Sequence, residues 1–463
     1  SPSPSPSPSP SPSPTAVPVS SGVTAPVHTL SKFDAMNLYS GGGFVPPDTT
    51  VAAGTVGTGT SATTMLMEAV NSMGTMYDTS GSAGVNLATT SCTKNSSDSV
   101  SDPRVLFDVA SGRWFISTTT FAPIGDASWN LLVSASNDPS GNWFCLVIPT
   151  SGIINPDHTT GNFPDFPKMG MSSDKVILTG DGYSQIGTNS YKFQGSEFIV
   201  LDKNALVSGA SQVAGTLFPP NQGDVAIEPA QQINSTTNTL YMAAVNSGLA
   251  STSTLDVWTV TGSPATGSVQ AQVTALPIGP LSIPPNAQQA GTSVLLDTND
   301  DSLLDAVYRQ GSGSLWVSAN DACKPPGDST VRSCLRFIEI SIGSTISVAQ
   351  DFDYGDPGNY YYFPAVRTDG AGDLFVAFSC SSASMYASAC GAMQKAGIAN
   401  QLTNLSVTRA GDSTYTLSPP RWGDYSGASA DPSDGSVWLG AEYATGLIPG
   451  FEYWGTAITQ VSP

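Results

Sequence analysis

From residue 31 to the C-terminus, no apolar stripe of helical period lasts more than two turns. Instead, runs of five to eight β-prone residues recur, separated every 8–15 residues by Gly, Pro, Asn, Asp and Ser. The runs fall at 64–70, 114–120, 129–134, 143–149, 175–179, 197–201, 239–245, 315–318, 335–342, 374–378, 437–441 and 456–461. This pattern predicts an all-β chain. Only 11% of residues are charged, against about 25% in an ordinary soluble domain. That excludes coiled coils and helical bundles, which need long Ala/Glu/Lys/Leu/Arg stretches. Hydrophobic residues at 40% exclude general disorder.

A weak internal repeat narrows the architecture. A turn rich in Asp or Gly precedes an aromatic residue and an apolar run. It appears as Asp108 to Gly112 before Trp114-Phe115, Asp138 to Gly141 before Trp143-Phe144, and Gly311-Ser312-Gly313 before Trp316. It returns as Asp369 to Asp373 before Phe375, and as Asp434-Gly435 before Trp438. The turn supplies a tight hairpin, and the aromatic packs between neighbouring sheets. Irregular spacing argues against solenoid rungs and for radial sheets with variable loops, a single β-propeller. At about 60 residues per blade the chain holds six to eight blades, and seven is the expectation. Residues 456–461 should close the ring against an N-terminal strand. The rival, two β-sandwiches, lacks a Pro/Gly-rich linker within 31–463.

Residues 1–30 read as a tail and 31–463 as the propeller domain. The tail opens with seven Ser-Pro repeats. Alternating Pro fixes φ and removes every second backbone donor, so this tract should be a polyproline-II rod reaching roughly 43 Å. It reads as a spacer or as a strand that docks on a neighbouring subunit. The net charge of −20 and a pI near 4.1 repel phosphate and exclude the usual nucleic-acid partners. Residues 257–296 carry no charge, yet Pro264, Pro277, Pro280, Pro284 and Pro285 break the stretch, and no membrane span is expected. The six cysteines form no Cys-x-x-Cys pair. Chain proximity predicts Cys323–Cys334 and Cys380–Cys390, which leaves Cys92–Cys145. Disulfides, scarce Lys and a Ser/Thr-rich surface point to an extracellular or cell-surface location. No signal peptide is visible, as expected of a mature form.

Ser136-Asn137-Asp138-Pro139-Ser140-Gly141-Asn142-Trp143 resembles the Asp-box of sialidase-type propellers, with Gly one place late. Such boxes are structural turns on the outside of blades. Further segments, taken in order, resemble a family of secreted, largely uncharacterised bacterial propeller-like proteins. They are Pro46-Pro47-Asp48-Thr49, Glu68-Ala69-Val70-Asn71, Asp102-Pro103-Arg104 through Asp108, and Phe163-Pro164-Asp165-Phe166-Pro167-Lys168-Met169-Gly170. Gly195-Ser196-Glu197, Ala306-Val307-Tyr308-Arg309 with Gly313-Ser314-Leu315-Trp316, Arg421-Trp422-Gly423-Asp424-Tyr425-Ser426-Gly427 and Trp454-Gly455-Thr456 follow. The resemblance implies secretion and a propeller but no particular reaction.

Only His28 and His158 are present, so neither a Ser-His-Asp triad nor a His-based zinc site is expected. Acid/base chemistry falls to carboxylates. Asp48, Asp102, Asp165 and Asp424 are the catalytic candidates, with Glu68 in the same motif group. Arg104, Lys168, Glu197, Arg421 and Tyr425 are candidates to hold a hydroxyl-rich or anionic ligand. Each also has a structural reading as a turn cap or ion-pair member. Asp297, Asn299, Asp301 and Asp305 have the alternate spacing of a calcium loop, although Ser302 stands where such loops carry Gly. The competing reading is a solvated acidic turn. No organic cofactor is expected. Tyr360-Tyr361-Tyr362-Phe363, Trp422, Tyr443, Tyr453 and Trp454 read as core, with residues 359–363 also suited to a sugar platform.

Two functions follow. One is an extracellular carbohydrate-directed propeller, a glycoside hydrolase or polysaccharide-binding module whose partner is a polysaccharide or cell-surface glycan. The other is a non-catalytic surface or filament protein that self-assembles through the Ser-Pro tail.

Overall fold

Side-chain turns start the strands. Asp369 Oδ1 accepts the backbone N–H groups of Ala371, Gly372 and Asp373 at 2.9, 2.8 and 2.9 Å. This reverses the chain between the strands Asn359–Thr368 and Leu374–Ser382. Asp108 holds Ser111 in the same way, and Asp431 holds Ser433. The aromatics that follow are buried: Trp114, Trp316, Phe375 and Trp438. Trp114 packs with Ala52, Met67 and Met76 of the preceding sheet. A Cβ on Gly54 would lie 2.5 Å from its ring, so only Gly fits there. Trp438 packs against Val51, Leu66 and Tyr77, joining the end of the chain to its beginning. The near-Asp-box is an exposed turn in which Asp138 Oδ1 accepts from Ser140, and Trp143 Nε1 donates to the Pro139 carbonyl.

This computed structural model describes residues 17–95, 98–121, 127–150, 162–187, 190–221, 223–233, 236–245, 251–417, 419–448 and 451–463. The Ser-Pro repeats and His158 lie outside them. The described chain is an all-β propeller. Its one α-helix among the described residues is Lys203–Val207, capped by Asp202. Among these residues, no helix is long and apolar enough to cross a membrane.

The innermost strands surround one axis. They are Thr50–Val56, Ser99–Asp108, Asn162–Met171, Val225–Pro229, Leu303–Arg309, Asn359–Thr368 and Gly427–Ala430. Each contacts the next, and the last contacts the first. Five separate four-stranded sheets form blades, which corrects the expected seven. The remaining ten strands form one continuous sheet. Within it, the antiparallel meanders at 162–221 and 303–354 are joined by Gln231–Ile233. That short strand pairs in parallel with Met171 on one side and Val307–Arg309 on the other.

Ring closure occurs as expected. His28–Asn37 pairs antiparallel with Phe451–Ser462, placing Lys32 opposite Thr459 and Phe33 opposite Ile458. This strand starts at His28, inside the segment read as tail. Val19 and Ser20 already pair in parallel with Asp353 and Tyr354. Three disulfides form: Cys92–Cys145, Cys323–Cys334 and Cys380–Cys390. The last two staple adjacent strands within a sheet. Cys92–Cys145 instead ties the turn after the first sheet to the outer strand of the second, Trp143–Pro149.

That inter-sheet bond spans 53 residues. Replacing both Cys92 and Cys145 by Ser is expected to lower unfolding free energy by about 2–5 kcal/mol, read from urea denaturation. An unchanged midpoint would show that sheet packing alone holds the two blades together.

Candidate functional site

A repeated irregularity shapes the inner strands. Asp102, Phe166, Ala226 and Phe363 have φ of 51°, 53°, 50° and 58°. The strand register slips around each of them, between Ser101/Arg104, Asp165/Lys168, Val225/Glu228 and Tyr362/Ala365. These are β-bulges, which re-aim the side chains that follow. In three of them the next residue is Pro (Pro103, Pro167, Pro364), which has no N–H to leave unpaired where the ladder is interrupted. Left-handed backbone is costly for residues other than Gly and tends to gather at functional sites.

The bulges divide the central channel into levels. At the end where the inner strands begin, a cavity of about 520 Å³ is lined by Asp48, Asp102, Asp165 and Asp424, all four of the expected catalytic carboxylates, together with Arg421. Asp181, Asp297 and Asp300 complete a set of seven carboxylates around this single guanidinium. Asp48 Oδ1 accepts the Asp424 N–H at 3.2 Å. Arg421 ion-pairs with Asp424. Asn71 braces the wall: Nδ2 donates to the Pro46 carbonyl at 2.6 Å, and Oδ1 accepts the Asp102 N–H at 3.4 Å. Asp165 and Asp181 stand directly opposite each other on paired strands. A like-charged cross-strand pair is destabilising and has no structural benefit of its own.

Burial and mutual repulsion hold protons on this cluster. Burial first, then Asp165, lifts Asp102 to about 6, against the pull of Arg104 and Arg421. Burial and Asp181 lift Asp165 to about 6. Burial lifts Asp181 to about 6 despite hydrogen bonds from Ser196 and Ala226. Asp424 reaches about 6 through burial, with Arg421 opposing. Asp48 is pushed well above the ordinary range by burial, Asp424 and Asp102. Protonated and ionised carboxyls therefore coexist near neutral pH, as acid/base chemistry requires.

Several sequence candidates lie elsewhere. Arg104 and Lys168 do not line the acidic cavity; each follows its bulge residue by two positions and sits one level deeper. Lys168 Nζ ion-pairs with Glu228 at 3.0 Å and donates to the Leu303 carbonyl. Burial pushes this lysine down to about 8 and Glu228 up to about 7. Tyr425 is buried, stacked on Phe166 at 5.0 Å, with the Arg104 guanidinium 3.5 Å from its ring centroid. It is packing between the two levels rather than a ligand contact. Glu197 is fully buried away from the cavity, has no hydrogen-bond partner among the described residues, and is raised to about 8 by burial. Glu68 accepts from Thr49 Oγ1 and Met36 N, fastening the N-terminal strand.

The calcium-spaced residues diverge. Asp297 and Asn299 line the acidic cavity. Asp305 turns to the Ala306 and Val366 N–H groups and to Arg367. Asp301 is buried without a hydrogen-bond partner among the described residues. Among those residues, no three His, Cys, Asp or Glu side chains form a metal-holding group.

The aromatic platform also moves. Tyr360, Tyr361, Tyr362 and Phe363 are core. The cavity rim instead carries Phe44 and Tyr183. Tyr183 stacks on Phe163 at 5.6 Å, and the exposed Tyr191 meets Phe163 edge-on at 5.2 Å. Tyr183 and Tyr191 stand on paired 13-residue strands, Lys175–Gly187 and Ser190–Asp202. Asp181, Asp300 and this aromatic wall escaped sequence reading. The one available signal was Asp181 lying in Gly180-Asp181-Gly182-Tyr183, two residues before an aromatic.

No family model matches the chain, and no curated protein does. Solved structures share a distant likeness. A protein of unknown function from Dyadobacter fermentans aligns at a TM-score of 0.44 and 10% identity, covering 80% of this chain and 97% of its own. A Trypanosoma rangeli sialidase aligns at 0.37 and 10%, over 82% of this chain and 56% of its own. A glycoside hydrolase aligns at 0.34 and 12%, over 65% and 88%. At these values the likenesses say nothing of activity.

The raised carboxyls make stability pH-dependent. Folded values near 6, against about 3.9 for an unfolded Asp, mean that the native state holds extra protons between about pH 4 and 6. The stability these groups contribute is therefore greatest below this window and falls as pH rises through it. Asp102→Asn removes one such titration. It is expected to raise Tm at about pH 7.5 and to flatten the decline from about pH 4.5. A melting profile parallel to wild type would show that Asp102 is ionised at the lower pH.

Proposed function

We propose that the acidic mouth of the channel is the active site of an extracellular, carbohydrate-directed propeller that hydrolyses a glycosidic bond. The carrying observation is convergence: carboxylates from blades far apart in the chain meet in one cavity of about 520 Å³ beside an exposed aromatic rim. Sugar rings stack their apolar faces on Tyr183 and Phe44, and their hydroxyls donate to ionised Asp oxygens. Glycosidic cleavage needs one protonated carboxyl at the leaving oxygen and one carboxylate to attack or to activate water. Asp102 and Asp165 are assigned these roles because both are lifted to about 6, Asp102 by burial and Asp165, and Asp165 by burial and Asp181. Arg421 opposes the rise that burial imposes on Asp424, which still reaches about 6. Seven carboxylates around one guanidinium repel uronates and other acidic sugars, so the favoured substrate is neutral or an amino sugar. Three disulfides support a secreted setting.

Neutral and amino-sugar polysaccharides should be screened for binding and for reducing-end release. Asp102→Asn and Asp165→Asn are expected to lower kcat by about 100-fold or more. Tyr183→Ala is expected to weaken binding by about 2–10-fold. Binding without cleavage would replace the hydrolase with a polysaccharide-binding module. No binding to any glycan would overturn the reading.

A further inference from the structure

Below the acidic cavity, five charged side chains meet at the waist of the channel: Arg104, Lys168, Glu228, Asp305 and Arg367. They come from five successive innermost strands between Ser99–Asp108 and Asn359–Thr368. The waist encloses a space of about 20 Å³, lined by Arg104, Glu228, Asp305, Arg367 and Ser426 among others. The acidic groups there already face cations, although Glu228 Oε2 meets Lys168 only as an ion pair and has no other hydrogen-bond partner among the described residues. Glu228 pairs with Lys168 at 3.0 Å. Asp305 accepts the Ala306 and Val366 N–H groups at 3.0 and 2.8 Å and lies 3.5 Å from Arg367 Nη2. Arg367 also donates through Nε to the Ala428 carbonyl at 2.7 Å.

Three donors on the same space are left over. Arg104 Nη2, Arg367 Nη1 and Ser426 Oγ are buried and have no hydrogen-bond partner among the described residues. A buried donor left unpaired costs roughly 1–3 kcal/mol, more if it is charged. Such groups are rarely left so without an occupant. The charge count points the same way: three cations face two carboxylates, an excess of one positive charge. A water molecule could accept from both guanidinium groups and donate to Ser426 Oγ, but it carries no charge and leaves the excess uncancelled. A monatomic anion accepts all three donors and cancels the excess. About 20 Å³ is room for one atom-sized guest, which excludes phosphate, sulfate and carboxylates.

We propose that the waist binds one halide ion, chloride being the available member of the class, between Arg104, Arg367 and Ser426. The ion ties three inner segments across the axis and acts as a strut of the ring, separate from glycan chemistry at the mouth.

Crystals of the full chain grown or soaked in bromide test this directly on the unaltered protein. An anomalous peak within hydrogen-bonding distance of Arg104 Nη2 and Arg367 Nη1 is expected. Density at that point without anomalous signal would identify a water and overturn the proposal. In solution, Tm should rise with the logarithm of chloride or bromide concentration at constant ionic strength, relative to sodium acetate, which is too large to enter. Ser426→Ala keeps the charges and should shift that halide dependence to higher concentration. A wild-type Tm identical in chloride and acetate across the range would also overturn it.

Discussion

Everything at the mouth of the channel depends on the hydrogen bonding of the first strand to the last. His28–Asn37 covers the edge of Phe451–Ser462, an edge that would otherwise offer unpaired backbone groups to other chains. The same closure brings Asp48 against Asp424, 376 residues apart, with a direct hydrogen bond between them. Trp438 seals the seam from within by packing on Val51 and Tyr77. An open ring would retain most of its sheets but would scatter the carboxylates that make the cavity.

Within the closed ring, the bulges do the sorting. Those at Asp102, Phe166 and Ala226 put a left-handed residue near the mouth and carry the charged side chain two places on (Arg104, Lys168, Glu228) to the waist, whereas Phe363 and Ala365 pack in the core. Asp102 thus faces the acidic cavity while Arg104 lies under it, and Phe166 and Lys168 divide in the same way. The result is a layer of carboxylates above a layer of mixed charge, with Phe166 and Tyr425 stacked between. The upper layer is destabilising at neutral pH, since like charges are buried together and two of them, Asp165 and Asp181, are cross-strand partners. Packing of the blades outweighs this: Trp114, Phe375, Trp438 and their neighbours are wholly buried and contribute roughly 1.5–3 kcal/mol per large side chain.

Much of this was legible in sequence. The all-β class, the Asp-turn-aromatic hairpins, the ring closure and the three disulfides follow from local pattern, chain proximity and turn chemistry. Asp48, Asp102, Asp165 and Asp424 were singled out within motifs, and they line one cavity. The separate-blade count was not legible, because the joining strand Gln231–Ile233 is too short to register as a β-prone run. Nor was the direction of Arg104 and Lys168: Asp-Pro-Arg and Phe-Pro-Lys look like a charge beside a turn unless the bulge is known.

By itself the sequence determined what kinds of element form and that Cys323–Cys334 and Cys380–Cys390 lie close enough to join, since both depend on residues within a hairpin's reach; Cys92–Cys145 followed only as the remaining pair. Only the tertiary structure decided which carboxylates share a cavity. It also decided that Asp305 leaves the calcium-spaced group for Arg367, and that the aromatic rim is Tyr183 rather than Tyr361. Those outcomes rest on bulge geometry and on ring closure, which set the facing of side chains hundreds of residues apart and leave no periodic trace in the chain.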